Sequence, residues 1–112
     1  MAEPHRSRVI RLADAQPGPD GKRSVSFLRG TLDVKLAMPP ARPNRQTPHT
    51  QDEIYVVVHG RGILIHDGMR DAFESGDLLF VAAGTEHHFE EFDEDLAIWR
   101  VFYGPQGGEV PV

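Results

Sequence analysis

Apolar residues in this chain come in short runs cut by glycine and proline. The runs are RVIRL, SVSFL, TLDVKLAM, IYVVV, GILIH, DAF, DLLFV, HHFEEF and LAIWRVFY, and the breaks include PGPDG, MPPARP, HGRG, HDG, ESGD, AAG and YGPQGG. Val, Ile, Phe and Tyr dominate several runs, which suits strands buried on one or both faces. In TLDVKLA, Leu32, Val34 and Leu36 alternate with Asp33 and Lys35, a period of two. No window sustains helical periodicity, so the pattern predicts an all-β chain with at most one helical turn. Many short strands at this spacing predict a sandwich or barrel of antiparallel strands. HDGMRD predicts a tight hairpin around Asp67-Gly68. IYVVV is apolar on both faces, so the core covers one face and the other needs its own cover. A homodimer is the simplest cover.

Composition narrows the class. The 112 residues suit one domain, 1–112, with a core that needs no staples. Cysteine is absent, which removes disulfides and thiolate metal sites and fits a reducing compartment. No run reaches signal-peptide or membrane-spanning length, so a cytoplasmic location with no membrane partner is expected. A net charge of −5 argues against a general nucleic-acid binder. Basic residues nonetheless gather in the first half, which leaves room for a small anionic ligand, whereas acids crowd residues 90–95.

The chemistry concentrates in two blocks. In PHTQDEIYVVVHG, His49 precedes Glu53 by four positions, and six residues separate Glu53 from Gly60. In GDLLFVAAGTEHHFEE, Gly76 is followed after five residues by Ala82, after one more by Gly84, and after two more by His87. In a straight strand, residues four apart lie roughly 13 Å apart, too far to share one ion at about 2.1 Å. His49 therefore belongs to a bent entry, with Glu53 at the start of the strand. The glycine turn in AAGTEH lets His87 open a second strand. His88 then faces the other way.

These blocks resemble the two motifs of the cupin superfamily, in its order and at its spacing, over about 47–60 and 76–91. The resemblance implies a single-domain cupin β-barrel, or double-sheet jelly roll, with residues 104–112 as a C-terminal arm or partial lid. It implies one divalent metal ion per chain, among Fe, Mn, Zn and Ni, with His49, Glu53 and His87 as ligands. Two imidazoles and one carboxylate with open positions beyond them suit non-haem Fe(II). Three positions depart from the family pattern: Thr47 stands where a further histidine is usual, Ala82 where proline is usual, and Glu91 where asparagine is frequent. Gln51 is a candidate amide ligand in compensation, and Tyr55 a candidate hydrogen-bond donor to substrate. Arg100 alternates onto one face with Ile98 and Phe102, so it either orients a substrate from inside or faces a subunit contact. Trp99, Phe80, Phe89, Phe92 and Phe102 are expected in the core, and His59 and His66 at exposed turns.

Three functions follow from the resemblance. The first is a mononuclear-metal enzyme of dioxygenase, isomerase or decarboxylase type acting on a small organic molecule. The second is a cupin that binds a small ligand or metal without turnover. The third is a metal-free, epimerase-type barrel with a histidine base and Tyr55 or Tyr103 as acid.

Overall fold

The computed structural model describes residues 7–15, 25–37, 45–46 and 49–110. Among the described residues, a one-turn 3-10 helix, Leu12–Ala15, precedes nine strands. These are β1 (Val25–Arg29), β2 (Leu32–Ala37), β3 (Arg45–Gln46), β4 (Asp52–His59), β5 (Gly62–His66), β6 (Met69–Phe73), β7 (Leu78–Val81), β8 (His87–Glu90) and β9 (Ala97–Tyr103). They form two antiparallel sheets, ordered β1-β2-β9-β4-β7 and β3-β8-β5-β6. This is the expected double-sheet roll. Among the described residues, no helix is long and apolar enough to cross a membrane.

Alternation along each strand sends one set of side chains between the sheets. From the five-stranded sheet come Ala37, Tyr55, Val57 and Ile98; from the other come Leu64, Phe73 and Phe89. Edge-on rings join across the gap, Tyr55 to Phe89 at 5.2 Å and Phe73 to Phe89 at 5.7 Å between centroids. Such pairs add about 0.5–1.5 kcal/mol each beyond the area they bury. The Asp67-Gly68 hairpin forms as the sequence predicts. His66 pairs with Met69, and both turn residues have positive φ, 49° and 74°.

On β2 the alternation runs opposite to what its polarity suggests. Ala37 enters the main core, but Leu36 lies on the outer face, packed with Ala15 of the 3-10 helix and Ala97. Its register puts Asp33 opposite Phe102, Lys35 opposite Arg100 and Ala37 opposite Ile98, so the polar residues share the inner face. Phe80 departs from the core assignment. It is 52% exposed, on the outer face opposite Ile54. Trp99 is also on that face, packed against the cluster under the helix.

Candidate metal centre

β4 and β9 run antiparallel through the middle of the larger sheet, and β8 faces them from the other. Along β4, Glu53 and Tyr55 point inward. Glu53 is paired with Phe102 and Tyr55 with Arg100. His49 reaches the same point from the bend ahead of β4, whose start is set where Gly84 N–H donates to the His49 carbonyl at 2.7 Å. Gly84 itself, with φ of +80°, makes the turn that delivers His87 as the first residue of β8. His87 and Phe89 face inward. His88 is half exposed and lies 3.3 Å from Glu90.

The three side chains meet at one carboxylate oxygen. His49 Nε2 lies 2.8 Å and His87 Nε2 3.2 Å from Glu53 Oε1, and one ligand atom from each residue falls within 4.8 Å of the others. The Glu53 and His87 side chains are almost wholly buried, at 1% and 0% exposed, and His49 is 18% exposed. Both imidazoles are held from behind. His49 Nδ1–H donates to the Gln51 carbonyl at 2.6 Å, and His87 Nδ1–H donates to the Thr85 carbonyl at 2.9 Å. A carbonyl only accepts, so each Nδ1 carries a proton and each ring turns its Nε2 toward Glu53. The buried Glu53 carboxylate faces both Nε2 atoms, with the Tyr55 hydroxyl beside His87 Nε2, and a cation or an imidazolium proton answers its charge.

The proton alternative shows in the pKa of His87. Burial pushes it down, but the Glu53 hydrogen bond, the Thr85 carbonyl and the Glu53 charge together carry it above the usual 6.5. A divalent cation satisfies the same three atoms with the donor chemistry of a two-histidine, one-carboxylate site.

Other residues named from the sequence lie at varying distances from this point. Tyr55 is inside, its hydroxyl 3.2 Å from His87 Nε2. The Gln51 amide nitrogen donates to the carbonyls of Thr31 at 3.1 Å and Gly104 at 3.0 Å, which ties it to the β1–β2 turn and the end of β9. Arg100 faces inward, its guanidinium 4.4 Å over the Phe102 ring, and Phe102 in turn lies edge-on to His49 at 4.6 Å. Phe102 thus packs on a candidate ligand and not in the main core cluster. Tyr103 pairs with Asp52 and lies on the opposite face of β9 from Phe102, away from the three donors. Thr47 lies outside the described residues.

Asp52 gave no signal in the sequence beyond being next to Glu53. It is 7% exposed, and accepts hydrogen bonds from Ala83 N–H at 3.0 Å and Glu109 N–H at 2.9 Å. Gly107 N–H also donates to the Thr50 carbonyl at 2.6 Å. Residues 104–110 are therefore fastened along the entry that carries His49.

Known proteins resemble this chain in sequence and in fold. An uncharacterized protein of Streptomyces coelicolor is 34% identical over 84 residues, covering 73% of this chain and 80% of that one. An acireductone dioxygenase of Sulfurihydrogenibium is 41% identical over 75 residues, which is 62% of this chain but 41% of that enzyme's length. A crystal structure from Ralstonia eutropha, provisionally assigned as a mannose-6-phosphate isomerase, superposes with a TM-score of 0.63 at 23% identity, covering 89% of this chain and 99% of that one. The cupin-domain family model matches residues 34–102, from β2 through β9 and across both motif blocks. With the family model spanning most of the chain and both sheets in place, the chain belongs to the cupin family.

Proposed function

We propose that this cupin is a mononuclear-metal enzyme that acts on a small organic molecule, with His49, Glu53 and His87 as the ligands. The observation that carries it is the pair of Nδ1–H bonds to the Gln51 and Thr85 carbonyls, which aim both Nε2 atoms at Glu53. Fe(II) suits such a set, and Mn, Zn and Ni are the competing ions. When bound, the ion supplies Lewis acidity toward a substrate oxygen or, as iron, reactivity with dioxygen. Similarity to the acireductone dioxygenase over 75 residues favours the oxygen-dependent branch.

The chain's own groups have distinct parts. His49 and His87 hold their rings in place through backbone carbonyls and need no further partner to stay oriented. The Tyr55 hydroxyl, 3.2 Å from His87 Nε2, holds a proton at the edge of the site and is the candidate donor to substrate. Glu53 is 1% exposed, and Phe102, its partner across β4 and β9, packs edge-on against His49.

The test is oxygen uptake by the Fe(II)-loaded protein across small acids, enediols and phenols. Substrate-dependent uptake that is lost in Glu53→Gln supports the enzyme reading. Stoichiometric metal with no turnover of any candidate supports instead a binding cupin, the reading that Thr47 in place of a further histidine favours.

A further inference from the structure

A second cluster of charge lies on the same inner face, beside the three donors. The register sets two rows across the larger sheet: Asp33, Phe102 and Glu53 in one, Lys35, Arg100 and Tyr55 in the next. Neighbouring strands lie about 4.8 Å apart, so Arg100 is one strand from Tyr55, and Lys35 and Asp33 are two strands from β4. The side chains are largely shielded, with Arg100 18% and Asp33 28% exposed.

This cluster is held together by charge and not by hydrogen bonds. Arg100 Nη2 stands 3.7 Å from Asp33 Oδ1, and Lys35 Nζ 3.8 Å from Asp33 Oδ2. Asp33 Oδ1 and Arg100 Nε have no hydrogen-bond partner and are shut off from solvent. A buried acceptor and a buried donor are thus both left unfilled, within one small group. Two cations share one carboxylate, leaving one positive charge in excess. The guanidinium carbon lies 4.4 Å from the Phe102 ring centroid, which holds the group beside Asp33 with its Nε still unpaired.

We propose that Arg100, Lys35 and Asp33 form a hydroxy-acid subsite. Arg100 and Lys35 take the carboxylate of a small ligand, and Asp33 Oδ1 accepts a hydrogen bond from its hydroxyl. This rests on reading the inner face beside His49, Glu53 and His87 as a ligand site, and it names the ligand class. A carboxylate alone leaves Asp33 Oδ1 unpaired, and a neutral diol leaves the excess charge unanswered. A molecule carrying both groups answers both.

The decisive probes are lactate, propionate and propane-1,2-diol, which differ in these two groups. Binding is measured by calorimetry on the full chain, in metal-free protein because lactate chelates metals, and again with Zn(II). Lactate is expected to bind more tightly than either analogue. Arg100→Gln is expected to weaken it about tenfold or more, the loss of a charge-assisted pair. Asp33→Ala is expected to reduce lactate to the level of propionate. Lys35→Gln, on the same face, decides the matter if Arg100→Gln does not fold by thermal melting. Equal binding of lactate and the diol, no lactate binding, or lactate binding unchanged in folded Arg100→Gln or Lys35→Gln overturns the proposal. Metal content is measured in parallel: loss of metal with an intact lactate response defeats the metal-enzyme reading alone, and full metal with no Arg100 response defeats the subsite alone.

Discussion

At position 52 a buried carboxylate takes backbone N–H donors from two distant segments, Ala83 in the turn before β8 and Glu109 in the C-terminal segment. The Glu109 donor, then the Ala83 donor, hold its pKa below the usual 3.8, against the opposing effect of burial. A carboxylate depressed on folding contributes stability that is fully present above its unfolded value and is lost as pH falls through the folded one. The wild-type protein is therefore expected to loosen below about pH 4, with amides at 83 and 109 losing exchange protection first. Asp52→Asn removes that pH dependence. Asp52→Ala is expected to cost about 2–4 kcal/mol in urea unfolding, the loss of two hydrogen bonds to a charged group. Unchanged stability in Asp52→Ala contradicts the role given to it. This residue was not legible in the sequence, because its partners are backbone groups about 30 and 57 positions away and main-chain donors leave no mark on side-chain pattern.

Among elements, the two motif blocks were the most legible part of the chain. The spacing of His49, Glu53 and Gly60 records a bend, a strand and its end, all local features. Gly60 has φ of +100°, and a side chain there meets Leu96 Cα at 3.0 Å. Two positions on, Gly62 opens β5 so close to the core that an added Cβ meets Phe73 Cζ at 2.8 Å and Phe92 Cβ at 3.0 Å. Gly62→Val is expected to destabilise the protein by about 1–3 kcal/mol through overpacking, read as a lower urea midpoint at unchanged slope. The inner and outer faces were less legible. A period of two in TLDVKLA fixes which residues share a face but not which face is inside, and Asp33 and Lys35 turned inward against their polarity. Phe80 turned outward for the same reason: its parity on β7 follows from pairing with Ile54 on the outer face of β4. Gln51 was named to compensate for Thr47 in the motif, and the Thr31 and Gly104 carbonyls that its amide nitrogen meets come from far along the chain.

For the molecule as a whole, the outer face of the larger sheet carries Val56 at 36%, Leu78 at 61% and Phe80 at 52% exposed. The 3-10 helix covers the neighbouring Leu36 and Ala97. Phe80 and the paired Ile54 continue the apolar row onto Val101 of β9. We propose a homodimer through this face, the cover that the doubly apolar IYVVV run calls for. Light scattering of the wild type is expected to give twice the chain mass, and Phe80→Lys to give the chain mass with its fold intact. A monomeric wild type overturns the dimer without touching the site, which is built within one chain.

The central claim is that two remote segments bring three donors to one divalent ion. Elemental analysis of the wild type and of Glu53→Gln, each loaded with Fe(II) or Zn(II) and freed of excess metal, tests it most directly. The prediction is one metal ion per chain in the wild type, and a marked loss in Glu53→Gln with the thermal melt of the metal-free protein preserved. A wild type that retains no metal, or a variant that retains as much as the wild type, contradicts it.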